Sequence, residues 1–195
     1  MAATIRLATA DDAEAILVIY SPSILETPAS FEMEVPSVAE MQRRITNVLA
    51  AYPWLVYEDE SRVLGYAYAS RHSARAAYEW SVDTSVYVHR DSHRRGVGRA
   101  LYTSLLNLLR LQGYYNAYGG ITLPNEGSVG LHKAMGYQLV GVFENVGYKF
   151  DSWHPVSYWS LQLQPLVANP PPPQPPSELV STPAWQQALA SGWAR

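Results

Sequence analysis

The 195-residue chain contains no cysteine. This absence excludes a disulfide framework, a thiolate nucleophile and a metal site built from cysteine side chains. The sequence also has no apolar run long enough to span a bilayer, and no apolar stretch near its start of the kind that a secretory signal carries. We therefore expect a cytoplasmic protein that has no membrane partner.

The chain also has no excess of positive charge. The formal net charge is −3, and this value gives no support for nucleic acid as a partner. Hydrophobic residues make up 48% of the chain and charged residues 16%, as in an ordinary globular protein. His72, His89, His93 and His154 show no spacing typical of metal ligands. We therefore expect one domain with its own core and no metal site.

Hydrophobic periodicity switches between strand-like and helix-like segments along the chain. Thr9 with Asp12, and Ser37 with Glu40, are spaced as capping boxes, which mark two helix starts. Helices are predicted over residues 10–20, 38–51, 99–112 and 126–135, and strands over 5–8, 54–58, 62–70, 79–88, 120–123, 137–143 and 149–161. Strands that alternate with helices and end in two adjacent strands predict an α/β fold with a mixed sheet.

Proline changes the character of the chain after Gln164. The prolines of residues 170–176 predict an extended polyproline II linker. Beyond the linker, Pro183 is placed to open a short helix at its first position. Trp185 and Trp193 are unusual for a disordered tail, and we expect them to dock on the domain or on a second subunit. We therefore divide the chain into a domain, 1–164, and a proline-rich linker and C-terminal tail, 165–195.

The most informative segment of the sequence is His93-Arg94-Arg95-Gly96-Val97-Gly98-Arg99, which joins a strand-like run to a helix. The free amides and the dipole of a helix N-terminus favour an anion, and glycine lets the backbone approach it closely. The spacing is neither that of a P-loop nor that of a dinucleotide-binding fold. The arginines alternatively form a solvated basic face or a nucleic-acid patch. We interpret the segment as a phosphate-binding turn.

This segment resembles the pyrophosphate-binding turn of the GNAT N-acetyltransferases, in which Gln or Arg usually stands at the position of His93. Further segments are similar, in order and spacing, to the phosphinothricin and methionine-sulfone N-acetyltransferases, and the resemblance covers residues 4–163. These segments are residues 52–56, 74–80, 85–88, 123–125, 128, 131–132, 136–137, 147–149 and 153–154.

The resemblance implies a GNAT fold, in which a mixed central sheet with helices on both faces is splayed at the acetyl-CoA site. Backbone groups of Val86, Tyr87 and Val88 would pair with the acetyl carbonyl and the pantetheine amides. Asn125 would bond the pantetheine arm, although this residue could equally be the N-cap of a helix. The residues that would hold the pyrophosphate are Arg94, Arg95, Gly96, Val97, Gly98 and Arg99.

The resemblance also assigns proton handling to a strand carboxylate and a histidine, and the matching positions are Asp83 and His132. Asp83 is one methylene shorter than the family's glutamate, so it either acts through a water or only orients the substrate ammonium. The alternative interpretations are a strand residue that faces solvent and a histidine packed against the sheet. Direct attack by the amine needs no covalent enzyme intermediate, which suits a chain without cysteine.

Three further positions match the substrate site of the family. Arg75 and Tyr78 would hold the anionic end of the substrate, and Phe31 would wall the pocket, although Phe31 could equally be a core aromatic. Ser73 replaces a frequent basic residue, which favours a sulfone or sulfoximine over phosphinothricin.

From these matches we expect an acetyl-CoA-dependent N-acetyltransferase that acts as a homodimer on the α-amine of a small amino acid or analogue. The alternatives are a polyamine or protein-amine acetyltransferase and a catalytically silent acyl-CoA-binding module. Cationic substrates such as polyamines require an acidic pocket, and the positive charge of Arg75 disfavours them.

Overall fold

The computed structural model describes residues 3–193. The strands in this range are β1 (Thr4–Leu7), β2 (Trp54–Asp59), β3 (Arg62–Arg71), β4 (Ser81–Val88), β5 (Asn116–Thr122), β6 (Gln138–Lys149) and β7 (Ser152–Gln162). The α-helices are α1 (Ala13–Leu25), α2 (Val38–Leu49), α3 (Val97–Gln112), α4 (Glu126–Ala134), α5 (Pro176–Leu179) and α6 (Pro183–Ala190). The strands form one sheet in the order β1-β2-β3-β4-β5-β7-β6. The pair β4–β5 is parallel and the other neighbouring pairs are antiparallel, which confirms the predicted mixed α/β fold.

Helices cover both faces of the sheet, because strand side chains alternate between two apolar layers. On one face, Ile16 of α1 and Ile45 of α2 pack with Val56 and Tyr66 of the sheet. On the other face, leucines of α3 pack with a second set of strand residues, among them Leu55. These two layers are the α1/α2 face and the α3/α4 face of the sheet.

Helix α1 is longer than predicted. Asp12 closes the capping box with Thr9, whose backbone N–H donates to the Asp12 carboxylate at 2.7 Å. A single 3₁₀ turn follows, and α1 then continues past Pro22 to Leu25, whereas the sequence predicted an end near Tyr20. Ile24, which follows the proline, is buried. Burial of this side chain stabilises the last turn of α1, although Pro22 cannot donate a backbone hydrogen bond within the helix.

The two closing strands pair as predicted, but the first is longer and the turn lies later than the sequence indicated, so that they form one long hairpin. β6 runs on to Lys149, with irregular pairing between Phe143 and Gly147, and β7 begins at Ser152. The two residues between the strands, Phe150 and Asp151, have φ values of 51° and 55°. Hairpins of this kind usually signal themselves by Asn-Gly or Asp-Gly, and Phe-Asp carries no such signal.

The C-terminal tail packs on the outside of α3. The indole N–H of Trp80 donates to the Pro171 carbonyl at 2.7 Å, and the hydroxyl of Ser104 on α3 donates to the Leu189 carbonyl at 2.7 Å. Trp185 is fully buried in the core of the α3/α4 face, and the Trp193 ring lies 4.9 Å from that of Tyr57. Both tail tryptophans therefore dock on their own chain, while the division at residue 164 stays a prediction.

Trp185→Ala should lower the free energy of unfolding by about 3–5 kcal/mol, as expected for loss of a fully buried tryptophan. Trp193→Ala is the matched control, because Trp193 remains 36% exposed, and its loss should be clearly smaller. Urea denaturation of both variants measures the two effects. Equal effects would show that Trp185 contributes no more to the core than a half-exposed aromatic.

Candidate functional site

The central feature of the site is a fork between β4 and β5. The two strands pair over three positions, Ser81–Asn116, Val82–Ala117 and Asp83–Tyr118, although β4 continues to Val88. At the branch point the Thr84 hydroxyl donates to the Tyr118 carbonyl at 3.0 Å and accepts from the Tyr137 hydroxyl at 2.8 Å. Beyond it, the edge of β4 that faces β5 is free of strand pairing in the described residues. A ligand with amide groups can therefore pair with this edge as a strand would.

The glycine turn lies at the end of β4 and opens α3. Gly96 has φ +83° and occupies the N-cap position, and the first intrahelical bond runs from the Ala100 amide to the Gly96 carbonyl at 2.9 Å. The amides of the first turn of α3 therefore have no intrahelical acceptor. A Cβ on Gly96 would meet nothing within 4 Å, so the space above the turn is open. The fork and turn fit an elongated ligand with amide groups and a phosphate.

Charge and position support this assignment of the turn. Arg94, Arg95 and Arg99 are exposed beside it. The His93 ring bonds through Nε2 to the Val88 carbonyl at 3.0 Å, so the first residue of the sequence pattern ties the turn to the end of β4. Positive charge around free helix amides attracts phosphate.

Helix α4 forms the wall of the fork opposite β4. Asn125 is its N-cap, because the Asn125 Oδ1 accepts from the Ser128 amide at 3.1 Å. A Cβ on Gly98 would lie 3.0 Å from Cδ2 of Leu131 on α4. Gly98 thus allows α3 and α4 to approach closely. The capping role of Asn125 is observed, and its role toward a ligand stays a prediction.

His132 of α4 is buried on the α3/α4 face. Its Nδ1 bonds to the Ser128 carbonyl at 2.8 Å, which requires a proton on Nδ1, and its Nε2 then accepts from the Tyr102 hydroxyl at 3.2 Å. Burial lowers the pKa of His132 below its ordinary value, and the bond to Ser128 opposes this shift in part. The ring is therefore neutral at pH 7 and fits against Gly119 of β5, where a side chain would collide with it.

Asp83 lies on the opposite, α1/α2 face. Its Oδ1 is 2.7 Å from Nδ1 of His72, and the His72 ring stacks on Tyr118 with a centroid distance of 4.4 Å. Burial raises the pKa of Asp83, and the hydrogen bond from His72 opposes this rise. Tyr118 and Gly119 are adjacent on β5 and point to opposite faces. The structure therefore does not bring Asp83 and His132 together, and it gives Asp83 a partner that the sequence did not suggest.

His72 is the residue that the sequence interpretation missed. It follows β3, while Asp83 pairs with Ser70 of β3 across the hairpin. Once β3 and β4 are assigned as an antiparallel pair, a histidine just past the end of one strand and a carboxylate near the start of the next are neighbours. The register of β3 and β4 could therefore have predicted the His72–Asp83 contact. From the sequence, His72 was considered only as a metal ligand, and metal-ligand spacing gives no information on this contact.

Of the three predicted substrate residues, Tyr78 is the one that contacts the His72–Asp83 pair. Tyr78 lies in the loop before β4, with its ring 5.7 Å from that of His72. Arg75 begins the same short turn and is exposed. Phe31 lies directly over Gly147 of β6, and it is half-exposed rather than a core residue.

Lys149 holds the loop that carries Phe31. Its ammonium donates to the carbonyls of Ser30 at 2.6 Å and of Glu32 at 2.8 Å. Burial lowers the pKa of Lys149, and the charge of Glu32 opposes the shift. The loop of Phe31 is therefore fastened to β6, beside the face on which Asp83 lies.

Metal-binding clusters and membrane-spanning helices are both absent from residues 3–193. No group of three or more histidine, aspartate or glutamate side chains in that range is arranged to bind a metal ion. No helix in the same range combines the length and the hydropathy needed to cross a bilayer.

Comparison with known proteins identifies relatives across most of the chain. The acetyltransferase (GNAT) domain family matches residues 5–155. The phosphinothricin N-acetyltransferase of Streptomyces viridochromogenes is 38% identical, over 90% of this chain and 95% of that protein. The L-methionine sulfoximine/L-methionine sulfone acetyltransferase of Pseudomonas aeruginosa is 32% identical, over 87% of this chain and 100% of that protein.

A solved structure has the same fold. The phosphinothricin acetyltransferase from Sinorhizobium meliloti, in complex with AcCoA, superposes with a TM-score of 0.79 at 34% identity. The match covers 83% of this chain and 89% of that one.

The buried, neutral His132 predicts a pH dependence of stability. The pKa of His132 is lower in the folded protein than in the unfolded chain. Below about pH 6.5, His132 therefore binds a proton more readily in the unfolded state than in the folded state. This contribution is fully present above that pH and is lost as the pH falls, by at most about 1.4 kcal/mol per unit.

Urea denaturation at about pH 7.5 and about pH 5.5 should therefore show a larger loss for the wild-type protein than for His132→Asn, which does not titrate there. An equal loss in the two proteins would contradict the depressed pKa.

Proposed function

The chain belongs to the GNAT acetyltransferase family, and we propose that it transfers the acetyl group of acetyl-CoA to the α-amine of a small amino acid or analogue. Methionine sulfone, methionine sulfoximine and phosphinothricin are the substrate types, by analogy with the names of its relatives. The observation that carries the proposal is the fork between β4 and β5 with the glycine turn at its mouth. Acetyl-CoA supplies an activated thioester for the reaction.

Each end of the fork has a proposed role toward acetyl-CoA. The free edge of β4 at Val86, Tyr87 and Val88 pairs with the acetyl carbonyl and the pantetheine amides. Asn125, at the N-terminus of α4, bonds the pantetheine arm. The pyrophosphate lies on the turn, where the residues that hold it are Arg94, Arg95, Gly96, Val97, Gly98 and Arg99.

Asp83 and His132 handle protons on different sides of the fork. Asp83 lies on the face of Phe31 and Tyr78, where it meets the substrate ammonium. His132 is neutral and lies among the side chains of the α3/α4 face. The two are held by separate partners, so each acts at its own position rather than as one hydrogen-bonded relay.

Arg75 and Tyr78 hold the carboxylate of the substrate, and Phe31 walls the pocket. A guanidinium matches a carboxylate with two parallel hydrogen bonds. Arg75 is free to make them, because its guanidinium has no hydrogen-bond partner among residues 3–193. Ser73, near Arg75 in the same loop, offers no second cation for a phosphinate, so a sulfone or sulfoximine end is preferred.

The second candidate function is a silent acyl-CoA-binding module. The replacement of the family's glutamate by Asp83 is the observation that supports it, since a shortened carboxylate weakens proton transfer if nothing compensates.

The active form is proposed to be a homodimer. β6 is an edge strand, and it exposes the apolar side chains of Leu139, Val140, Val142, Phe143 and Val146. Apolar patches of this kind mark interaction surfaces, and a second copy of the chain is the proposed partner. The cytoplasmic location and the lack of nucleic-acid or membrane partners stay predictions.

The cofactor assignment is tested with Gly98→Val. The added side chain crowds Leu131 of α4 and the side chains of Val86 and Val88 on β4, so the dissociation constant for acetyl-CoA should rise at least tenfold, or about 1.4 kcal/mol. Calorimetry measures the affinity, and circular dichroism confirms the fold. Gly141→Val is the control, because a Cβ there meets nothing within 4 Å. Unchanged affinity in a folded Gly98→Val protein would remove the turn from the cofactor site.

The substrate assignment is tested by following thiol release from acetyl-CoA with a panel of amines. Methionine sulfone and sulfoximine should exceed phosphinothricin in kcat/KM, and all three should exceed spermidine. Arg75→Ala should raise KM for each amino acid by one to two orders of magnitude, since a charged hydrogen bond is worth about 1.5–3 kcal/mol. Better turnover of spermidine than of any amino acid, or indifference to Arg75→Ala, would count against the amino acid site.

A further inference from the structure

Asp83 does not stand alone in the proposed site. Its side chain is 43% exposed and that of His72 is 30% exposed, so both are accessible to a ligand on the α1/α2 face. The 2.7 Å contact uses Nδ1 of the imidazole, and Nε2 makes no hydrogen bond to a residue in the described range 3–193. The ring is held from two sides, by stacking on Tyr118 and by an edge contact with Tyr78.

This geometry determines which nitrogen of His72 carries a proton. A carboxylate accepts hydrogen bonds and donates none, so Nδ1 must be the protonated nitrogen of the neutral ring. Nε2 of that neutral ring is then an unprotonated acceptor, and it is separated from the carboxylate-bonded Nδ1 by the width of the imidazole. The imidazole thereby supplies the reach that the short aspartate side chain lacks.

We propose that His72 is a catalytic residue, whose Nε2 accepts the proton of the substrate ammonium while Asp83 holds its Nδ1–H and stabilises the imidazolium. This inference rests on the proposed function and assigns the base of the same site. Asp83 then acts on the ammonium through His72 rather than by direct contact, and the roles of Arg75 and Tyr78 toward the substrate carboxylate are unchanged.

The proton count is complete. The ammonium gives one proton to Nε2, which leaves a neutral amine with a free electron pair and an imidazolium bonded to Asp83 through Nδ1. The amine forms the new C–N bond as the C–S bond breaks, and its second proton leaves with the sulfur as the thiol. The proton on Nε2 passes to water, which restores His72 for the next turnover.

Few charges surround the ring to disturb this exchange. The titratable groups that touch it are Asp83, Tyr78 and Tyr118. The preceding residue, Arg71, directs its guanidinium to the Ala74 carbonyl at 2.6 Å, and Arg75 is exposed in the loop beyond.

The test separates proton transfer from support of Asp83. His72→Ala removes both functions, whereas His72→Asn keeps an N–H donor for the carboxylate but cannot take a proton. Both variants should lose about 10²–10⁴-fold in kcat for methionine sulfone, with acetyl-CoA affinity unchanged by calorimetry. Adding Asp83→Glu to His72→Ala should recover at least tenfold, because the longer carboxylate reaches the ammonium itself.

Nitrogen-15 NMR of the wild-type protein gives a readout that needs no substrate. The neutral His72 ring should be protonated on Nδ1, and Asp83→Ala should return it to the Nε2–H tautomer that free histidine favours. The signals of His154, which bonds through Nε2 to the Lys149 carbonyl, should be unaffected and serve as the internal control.

The outcomes are distinguishable. Absence of thiol release by the wild-type protein with every amino acid would overturn the proposed function, and this inference with it. Wild-type turnover that survives in His72→Asn, or an Nε2–H tautomer in the wild-type protein, would overturn the role of His72 alone.

Discussion

The structure depends on a parallel strand pair that is only three residues long. β4 and β5 pair from Ser81 to Asp83 and then separate, which leaves each strand edge without its usual partner. The cost of the lost backbone hydrogen bonds is limited by Thr84, which joins the Tyr118 carbonyl and the Tyr137 hydroxyl at the branch point. The fork gives a ligand access to backbone groups that a complete sheet would use internally.

The same fork explains why the two proton-handling candidates are separate. Side chains alternate along β4 and β5, so neighbouring residues face different helix layers. Asp83 therefore contacts His72 on the α1/α2 face, while His132 contacts Tyr102 and Gly119 on the α3/α4 face. Family resemblance assigned proton handling to both residues, and the sheet geometry shows that their side chains lie on opposite faces.

Local chemistry made much of this predictable. The Ser37 cap and the glycine turn before α3 are each determined by residues that are close together in the sequence, and both form as expected. The passage of α1 through Pro22 was missed because burial of Ile24 overrides local preference there. The Phe150–Asp151 turn was missed because Phe-Asp carries no hairpin signal. The His72–Asp83 contact was missed because it depends on the register of two strands. Site roles carried over from the family could not show which partner holds each side chain.

The buried Trp185 has a consequence for how the protein is made. It completes the core of the α3/α4 face, yet it is synthesised after every strand of the sheet. Translation proceeds at about 5–20 residues per second, so the outer surface of α3 stays uncovered for several seconds before the segment with Trp185 is synthesised. In that interval the nascent domain displays an apolar helix face to other chains. A polypeptide cut short before residue 185 would carry the same exposed face for its whole lifetime.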